Sequence, residues 1–477
     1  MHNYFKNTLI AITLIVIVSS CKTLDTNLSI KQRELPDTFP LSQDTSKNIG
    51  DIKWKEFFND TYLTQLIDSA LANNIDLHIT MQRIELARAN AKFAKGRLFP
   101  FAGFNPAGGM RKFGLYTMDG AGNISTEILP GKIVPVDLPD IYLGTYASWE
   151  LDIWGKLKNQ HRAALARYLS SIEGVHFVTT NLIADVATAY FELLALDNEL
   201  EIVRQTIEMQ QRALEIIEVQ KEATRATELA VQQFSAQVLS SKALEKEILQ
   251  QTIEVENFIN FLMGRYPQSI PRAKELLFDE VNQQIFSGLP SALLRNRPDI
   301  REAELNIMAS KFDVQSARAA FFPSFQITGG FGFQAFSTEF LFLSPASIAY
   351  HAIGGIVAPV INMSAIKANF NFAKASQLEA MYKYQQTILN GYVEVVNELS
   401  NIQNLEAISD LKLEERNILM ASINTSEELY KSARASYLEV LFAQQNALQT
   451  NLELIKVNKQ QRVALVNLYR ALGGGWQ

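Results

Sequence analysis

Few residues in this chain of 477 are placed to do covalent chemistry, and the first of them is its one cysteine. Cys21 follows Val18-Ser19-Ser20, small residues closing a leader in which Lys6 precedes an apolar run from Leu9 to Val18. That layout is a secretory signal. A lone cysteine behind small residues is where a lipobox is cut and acylated, so a covalent acyl or diacylglycerol group on Cys21 is expected. A single thiol also excludes disulfides. The leader's apolar run is too short to span a bilayer, and one acylated site holds a protein to a membrane without passing it through. His2, His78, His161, His176 and His351 lie in no ligand spacing, and no second cysteine joins them. Neither a phosphate-binding glycine loop ending in Lys-Ser/Thr nor a Gly-x-Ser-x-Gly elbow occurs. Glu245, Glu247, Glu254 and Glu256 are spaced as a solvated coiled-coil face. No catalytic residue, metal or further cofactor is expected, and the chain is read as a non-enzyme.

The elements that carry these residues come in two copies. Asp76 stands 24 residues before Pro100, and Asp299 stands 24 residues before Pro323, an offset of 223. Further on, Lys158 matches Lys367, Ala164 matches Ala373, Val186 matches Val395 and Leu229 matches Leu438, an offset of 209. The second copy is therefore shorter by fourteen residues between its proline and its lysine, and the Gly/Pro-rich stretch from Leu115 to Asp140 is the natural place for the excess. From Lys156 to about Glu222, and from Ser364 to about Lys431, there is no proline, little glycine and dense Ala, Leu, Glu, Gln and Lys. Each reads as one helix on the order of 100 Å long, with heptad-like apolar spacing suited to coiled-coil packing. Return helices are expected from about Thr227 to Leu262 and from Ser436 to Leu472, stopping at Gly264 and Gly473. A helix from Asp76 to Leu98, stacked end to end on the first return helix, would balance its long partner.

Between the helices the period changes. Ser324 to Gln334 alternates strictly, with apolar residues or glycine at odd positions, and Ser148 to Ile153 alternates likewise. Weaker candidates run from Phe99 to Gly114 and from Ser347 to Asn362, giving two hairpins. Four strands cannot close, so chains must pool them. Two copies would give eight strands, a barrel filled by its own side chains, whereas three give twelve and a water-filled passage. A trimer is the physical preference. With a formal charge of -6 and both signs well mixed, nucleic acid is not an expected partner.

Gly288-Leu289-Pro290-Ser291, Arg297-Pro298-Asp299-Ile300-Arg301, Phe322-Pro323-Ser324, Trp149-Glu150-Leu151-Asp152-Ile153-Trp154-Gly155-Lys156 and Leu472-Gly473-Gly474-Gly475-Trp476 together resemble the TolC-like outer-membrane efflux channels, and most closely their lipoprotein subfamily. The resemblance implies a mainly α protein with β: an internally duplicated, coiled-coil helical barrel reaching into the periplasm, with four strands per chain in a trimeric twelve-stranded transmembrane barrel. It also implies a homotrimer in the outer-membrane lipid, opened by a periplasmic adaptor and energised by a resistance-nodulation-division pump of the inner membrane, that passes small toxic molecules or drugs. Pro298 and Asp299 fit a helix start on their own terms, so the Arg-Pro-Asp box is read as structural. By the same resemblance Tyr430, Glu439 and Phe442 occupy the gate at the periplasmic tip. Thr224, Arg225, Ala433 and Arg434 lie in the tip turns that meet the adaptor, and Thr224 and Ala433 stand where glycines are usual. A ring of Glu439 would favour cations.

The expected organisation is a signal at 1–20, an acylated segment at 21–60, a first repeat at 61–265 with helices 61–98 and 156–265 around a membrane hairpin at 99–154, an equatorial segment at 266–287, and a second repeat at 288–477 with helices 288–321 and 364–472 around a hairpin at 322–362. A structural coiled-coil lipoprotein would leave the alternating strands without use. A nutrient-uptake porin would leave the helices without one.

Overall fold

A computed structural model describes residues 26, 28–31, 33–40, 47–278, 286–359, 361 and 363–477. Cys21 and the leader lie outside the described residues. The helices are α1 (Thr61–Asn73), α2 (Ile75–Gly96), α3 (Lys156–Glu222), α4 (Glu228–Leu262), α5 (Pro298–Ala319), α6 (Met363–Lys431) and α7 (Tyr437–Ala471). The principal strands are β1 (Phe101–Lys112), β2 (Asp137–Leu151), β3 (Ser324–Ala335) and β4 (Ile348–Val357). The two sequence offsets reappear in the coordinates: adding 223 to the bounds of α2 gives those of α5, and adding 209 to the bounds of α4 gives those of α7. None of the described helices is long and apolar enough to cross a membrane.

Two compact units form, and neither is a repeat. One is built from Leu86–Tyr168 and Leu305–Tyr382, the other from Gln32–Glu85, Leu169–Glu304 and Lys383–Gln477. Each draws on both copies, so the duplication lies across the folding units.

The first unit holds the sheet, an antiparallel meander in the order β1-β2-β3-β4. Its register puts Leu143 beside Phe333 and Trp149 beside Ile327 on one face, and Ser148 beside Thr328 and Glu150 beside Gln326 on the other. The first hairpin's connection carries a helical turn (Met118–Asn123) and a two-stranded ribbon (Glu127–Leu129 with Lys132–Ile133), the second only Thr338–Leu341. The excess therefore sits in the first connection. Corners between strand and helix are made by the tryptophan motif. Trp149 Nε1 donates to the Leu98 carbonyl at 3.1 Å, Trp154 Nε1 donates to that of Pro323 at 2.8 Å, and Asp152 accepts from the first free amides of α3, Leu157 and Lys158. Beyond the corners, small residues let helices approach. Ala94 clusters with Ala164, and at the equivalent positions Ala317 clusters with Ala373.

The second unit holds the main core, where Tyr190, Leu193, Ile259, Val395, Leu468 and Tyr469 are buried together. The stretch 61–98 is broken at Asn74, whose Oδ1 accepts from the Leu77 amide at 2.8 Å and so starts a second helix. Its Nδ2 donates to the Leu262 carbonyl at 2.8 Å, capping the end of α4. Arg297 stands at the matching point, and its Nη1 donates to Ala471 at 2.9 Å at the end of α7. Both junctions are closed by a glycine with positive φ. A Cβ on Gly264 would lie 2.4 Å from the Asn73 carbonyl oxygen, and one on Gly473 would lie 2.5 Å from that of Asn296. The end-to-end stacking expected of the short helices is thus built twice.

Arg297 does more than begin a helix. Its Nε and Nη2 hold both oxygens of Asp299 at 3.1 and 2.8 Å, and Nη1 also reaches Glu394 at 2.7 Å. The terminal Trp476 closes over this junction: Nε1 donates to the Asn296 carbonyl at 3.0 Å, and the ring stacks on His176 at 4.6 Å. Close by, Glu302 carries a carboxyl held above its ordinary range, first by burial and then by the neighbouring Asp299 and Glu173 carboxylates. Such a group binds a proton more readily folded than unfolded, so its stabilising contribution is present in acid and fades as pH rises through its folded pKa. Glu302→Gln is therefore expected to raise the melting temperature at pH 8, and the difference from the parent should shrink as pH falls towards 5. An equal shift at both pH values would show that the charge is not the cause.

Candidate functional site at the helical tips

The tips are built by a common device. At the end of α3 the amides of Arg225 and Thr224 bond back to the carbonyls of Gln220 and Lys221; at the end of α6 those of Arg434 and Ala433 bond back to Leu429 and Tyr430. This is the Schellman termination, whose penultimate residue must be left-handed. Thr224 has φ 59 and Ala433 has φ 54, the only non-glycine residues with positive φ among those described. A Cβ in that region costs about 1–2 kcal/mol, and branching at Thr224 adds to it. Thr224→Gly should therefore stabilise its tip by about 0.5–1 kcal/mol once the greater freedom of an unfolded glycine is subtracted. Ala433→Gly should gain less. Urea midpoints together with exchange of the tip amides would register the gain; a loss at Thr224 would mean that the Thr side chain makes a contact worth more than its strain.

After each turn the return helix is capped differently. Thr227 Oγ1 accepts from Ala230 at the start of α4. Ser436 opens α7 through a reciprocal capping box, in which the Glu439 carboxylate accepts the Ser436 amide. The ties from the long helix to its return helix also differ. Lys221 and Glu228 form an ion pair across the first turn. Tyr430 and Tyr437 stand at the corresponding positions of the second, and there Tyr430 Oη donates to Gln220 Oε1 at 2.5 Å, joining the last turn of α6 to that of α3. Burial pushes the Tyr430 phenol up. Ile217, Ala230 and Phe234 form the apolar floor under both tyrosines, and a groove of about 250 Å³ opens there between Gln220, Tyr430, Tyr437 and Gln444.

Of the residues chosen from sequence, Tyr430 is thus half-buried and engaged, and Glu439 is exposed with its carboxylate in the capping box. Phe442 is 60% exposed on α7, and Arg225 and Arg434 are exposed in the turns. The described residues include no cluster of three or more His, Cys, Asp or Glu fit for a metal. Sequence reasoning missed Gln220 and the Lys221–Glu228 pair. The repeat alignment held the signal, since it sets Lys221 against Tyr430 and Glu228 against Tyr437.

Comparison with known proteins decides what such a body is. The profile of the outer membrane efflux protein family matches residues 140–265 and again 289–474, once in each half. The chain belongs to the outer membrane efflux protein family. It is 32% identical to the outer membrane protein OprJ of Pseudomonas aeruginosa over 437 residues, covering 90% of this chain and 87% of OprJ. It is 28% identical over 480 residues to SilC of Salmonella typhimurium, described as a probable outer membrane lipoprotein, with 99% of both chains covered. A solved structure of CusC, described in connection with transmembrane channel formation, superposes with a TM-score of 0.81 at 27% identity, over 94% of this chain and 99% of CusC. The fold expected from sequence is the observed one: a duplicated, mainly helical protein with one four-stranded antiparallel sheet. This outer membrane efflux protein is accordingly an outer-membrane channel component of an efflux system.

Proposed function

We propose that this outer membrane efflux protein works as a homotrimeric passive conduit whose gate is the pair of tips, opened when a periplasmic adaptor engages Thr224, Arg225, Ala433 and Arg434. An inner-membrane pump of the resistance-nodulation-division class supplies the energy, and the chain itself performs no catalysis. The observation that supports the reading is the sheet: four strands with one apolar face, whose edge strands β1 and β4 pair with no further strand among the described residues and are free to pair with further copies. A water-filled passage follows from twelve strands. Acylation of Cys21 by an acyl or diacylglycerol group would add a second hold on the membrane. Small toxic solutes suit a conduit lined by mixed polar residues, and the relatives support that class: CusC is named for cation efflux.

Deleting the gene should sensitise cells to a toxic solute, and purified trimer should form channels in planar bilayers. A protein that forms no channel and whose loss sensitises cells to nothing would remove the reading. The gate is tested more finely at Glu439. Alanine there would break the capping box as well as remove the charge, costing the helix start about 1 kcal/mol. Glutamine keeps the box and removes only the charge. Glu439→Gln is expected to lower cation over anion permeability of the channel; reversal potentials equal to the parent's would take Glu439 out of the gate and leave it as a helix cap.

A further inference from the structure

The polar face of the sheet, with Asn105, Ser148, Glu150, Gln326 and Gln334, is the one a channel turns to its passage. One row of that face is unlike the others. Crossing the four strands in register, it reads Gly103, Tyr146, Gly330, His351, a glycine and a ring in strict alternation. The geometry shows why the glycines are there. A Cβ on Gly103 would fall 2.8 Å from Tyr146 Cε1, and one on Gly330 would fall 2.6 Å from His351 Cε1 and 3.2 Å from Tyr142 Oη. Each ring therefore lies down over its glycine neighbour on the adjacent strand, in the hollow left by the missing side chain.

Resting on the channel reading, we propose that this row is a girdle that sets the bore of the barrel: the glycines let the rings lie along the wall, and three chains place six flat rings around one level of the passage. Large side chains on an inward face would otherwise stand roughly perpendicular to the sheet and narrow it. The two glycines are suited to this role by what surrounds them. Both have ordinary extended backbone, and the three nearest atoms that a Cβ would meet at each belong to side chains. Alanine at either position thus leaves the ladder intact and lifts a ring into the passage.

The test reads the bore from the outer side, so that the state of the tips does not enter. Gln326→Cys places a thiol on the inward face four residues nearer the helices than the girdle, and intact cells are treated from outside with maleimides of graded size. In the parent the thiol should react with both small and mid-sized reagents. With Gly103→Ala and Gly330→Ala present, reaction with the largest reagent that still enters the parent should fall roughly tenfold, since passage depends on pore diameter, while the smallest reagent reacts as before. His351→Ala added to Gly330→Ala should restore entry, an outcome that misfolding would not give. Equal labelling at all sizes in glycine variants that migrate as trimers would overturn the girdle. Failure of even the smallest reagent to label the parent would instead overturn the assignment of this face to a passage.

Discussion

Arg297→Ala is expected to cost about 3–5 kcal/mol, the range for removing one partner of a buried ion pair. The side chain is 7% exposed and satisfies three groups at once: the Asp299 carboxylate, Glu394 on α6 and the final carbonyl of α7. Glu394 is half-exposed and can turn to water. Asp299 is 18% exposed and keeps only the Ile300 amide, and Ala471 is buried, so these are the groups left short of a partner. Lysine is not a remedy, since a single ammonium cannot hold a carboxylate at both oxygens while also reaching a carbonyl and a second helix. Gly391, whose Cβ would stand 3.1 Å from the guanidinium carbon, shows how closely α6 is fitted to arginine. Heat-resistant trimer and the urea midpoint in detergent should both fall sharply in Arg297→Ala and in Arg297→Lys. Asn74→Ala, at the equivalent junction, should cost less, about 1–2 kcal/mol, because it loses a neutral cap. A midpoint for Arg297→Ala within about 0.5 kcal/mol of the parent would place it among ordinary surface changes and show that α5 and α7 are held by Trp476 and packing alone.

The contrast between these junctions shows what a sequence makes legible. Helix lengths, strand alternation and the two offsets are local properties repeated along the chain, so α2, α4 and α7 could be placed within a few residues of their observed ends, whereas the helix expected over 288–321 is broken at Arg297 and runs as α5 only from Pro298. The break at Asn74 was less visible, because Asn inside a helical pattern is tolerated and only its contact with Leu262, far away in sequence, makes it a cap. Arg297 was legible as a helix start and hidden as a hub for the same reason: its partners Glu394 and Ala471 come from other helices. Acidic residues divide likewise. Glu245, on the face read as solvated, pairs with Arg204 at 2.8 Å, but Glu256 turns to Arg272, which also holds Asp197. At the tips, residue types could be matched to a gate, whereas the tie between Tyr430 and Gln220 depends on two long helices ending at one level, which no local pattern states.

That tie carries the largest functional effect expected of any single atom in the chain. In Tyr430→Phe the ring stays over Ile217 and Phe234, and only the hydroxyl's bond to Gln220 is lost. A bond of this kind contributes about 1 kcal/mol net, which for one chain would shift an equilibrium only a few-fold. In the proposed trimer gated at its tips, however, opening would part the last turn of α6 from that of α3 in all three copies. The loss then sums to about 3 kcal/mol, or a roughly 100-fold rise in the ratio of open to closed channel. Single-channel recording should show this as a greater open probability without adaptor, and cells should admit antibiotics too large for the resting channel. Gln220→Leu should reproduce the effect, and the double variant should add little to either, since both remove one bond. Thr224→Gly, which relaxes the neighbouring turn and leaves the bond in place, should not open the channel. An open probability in Tyr430→Phe equal to the parent's would mean that opening moves the two tips as one piece. The constriction would then have to lie in the part of α7 that turns with them, where Phe442 is the most exposed large apolar group and Leu438 a second.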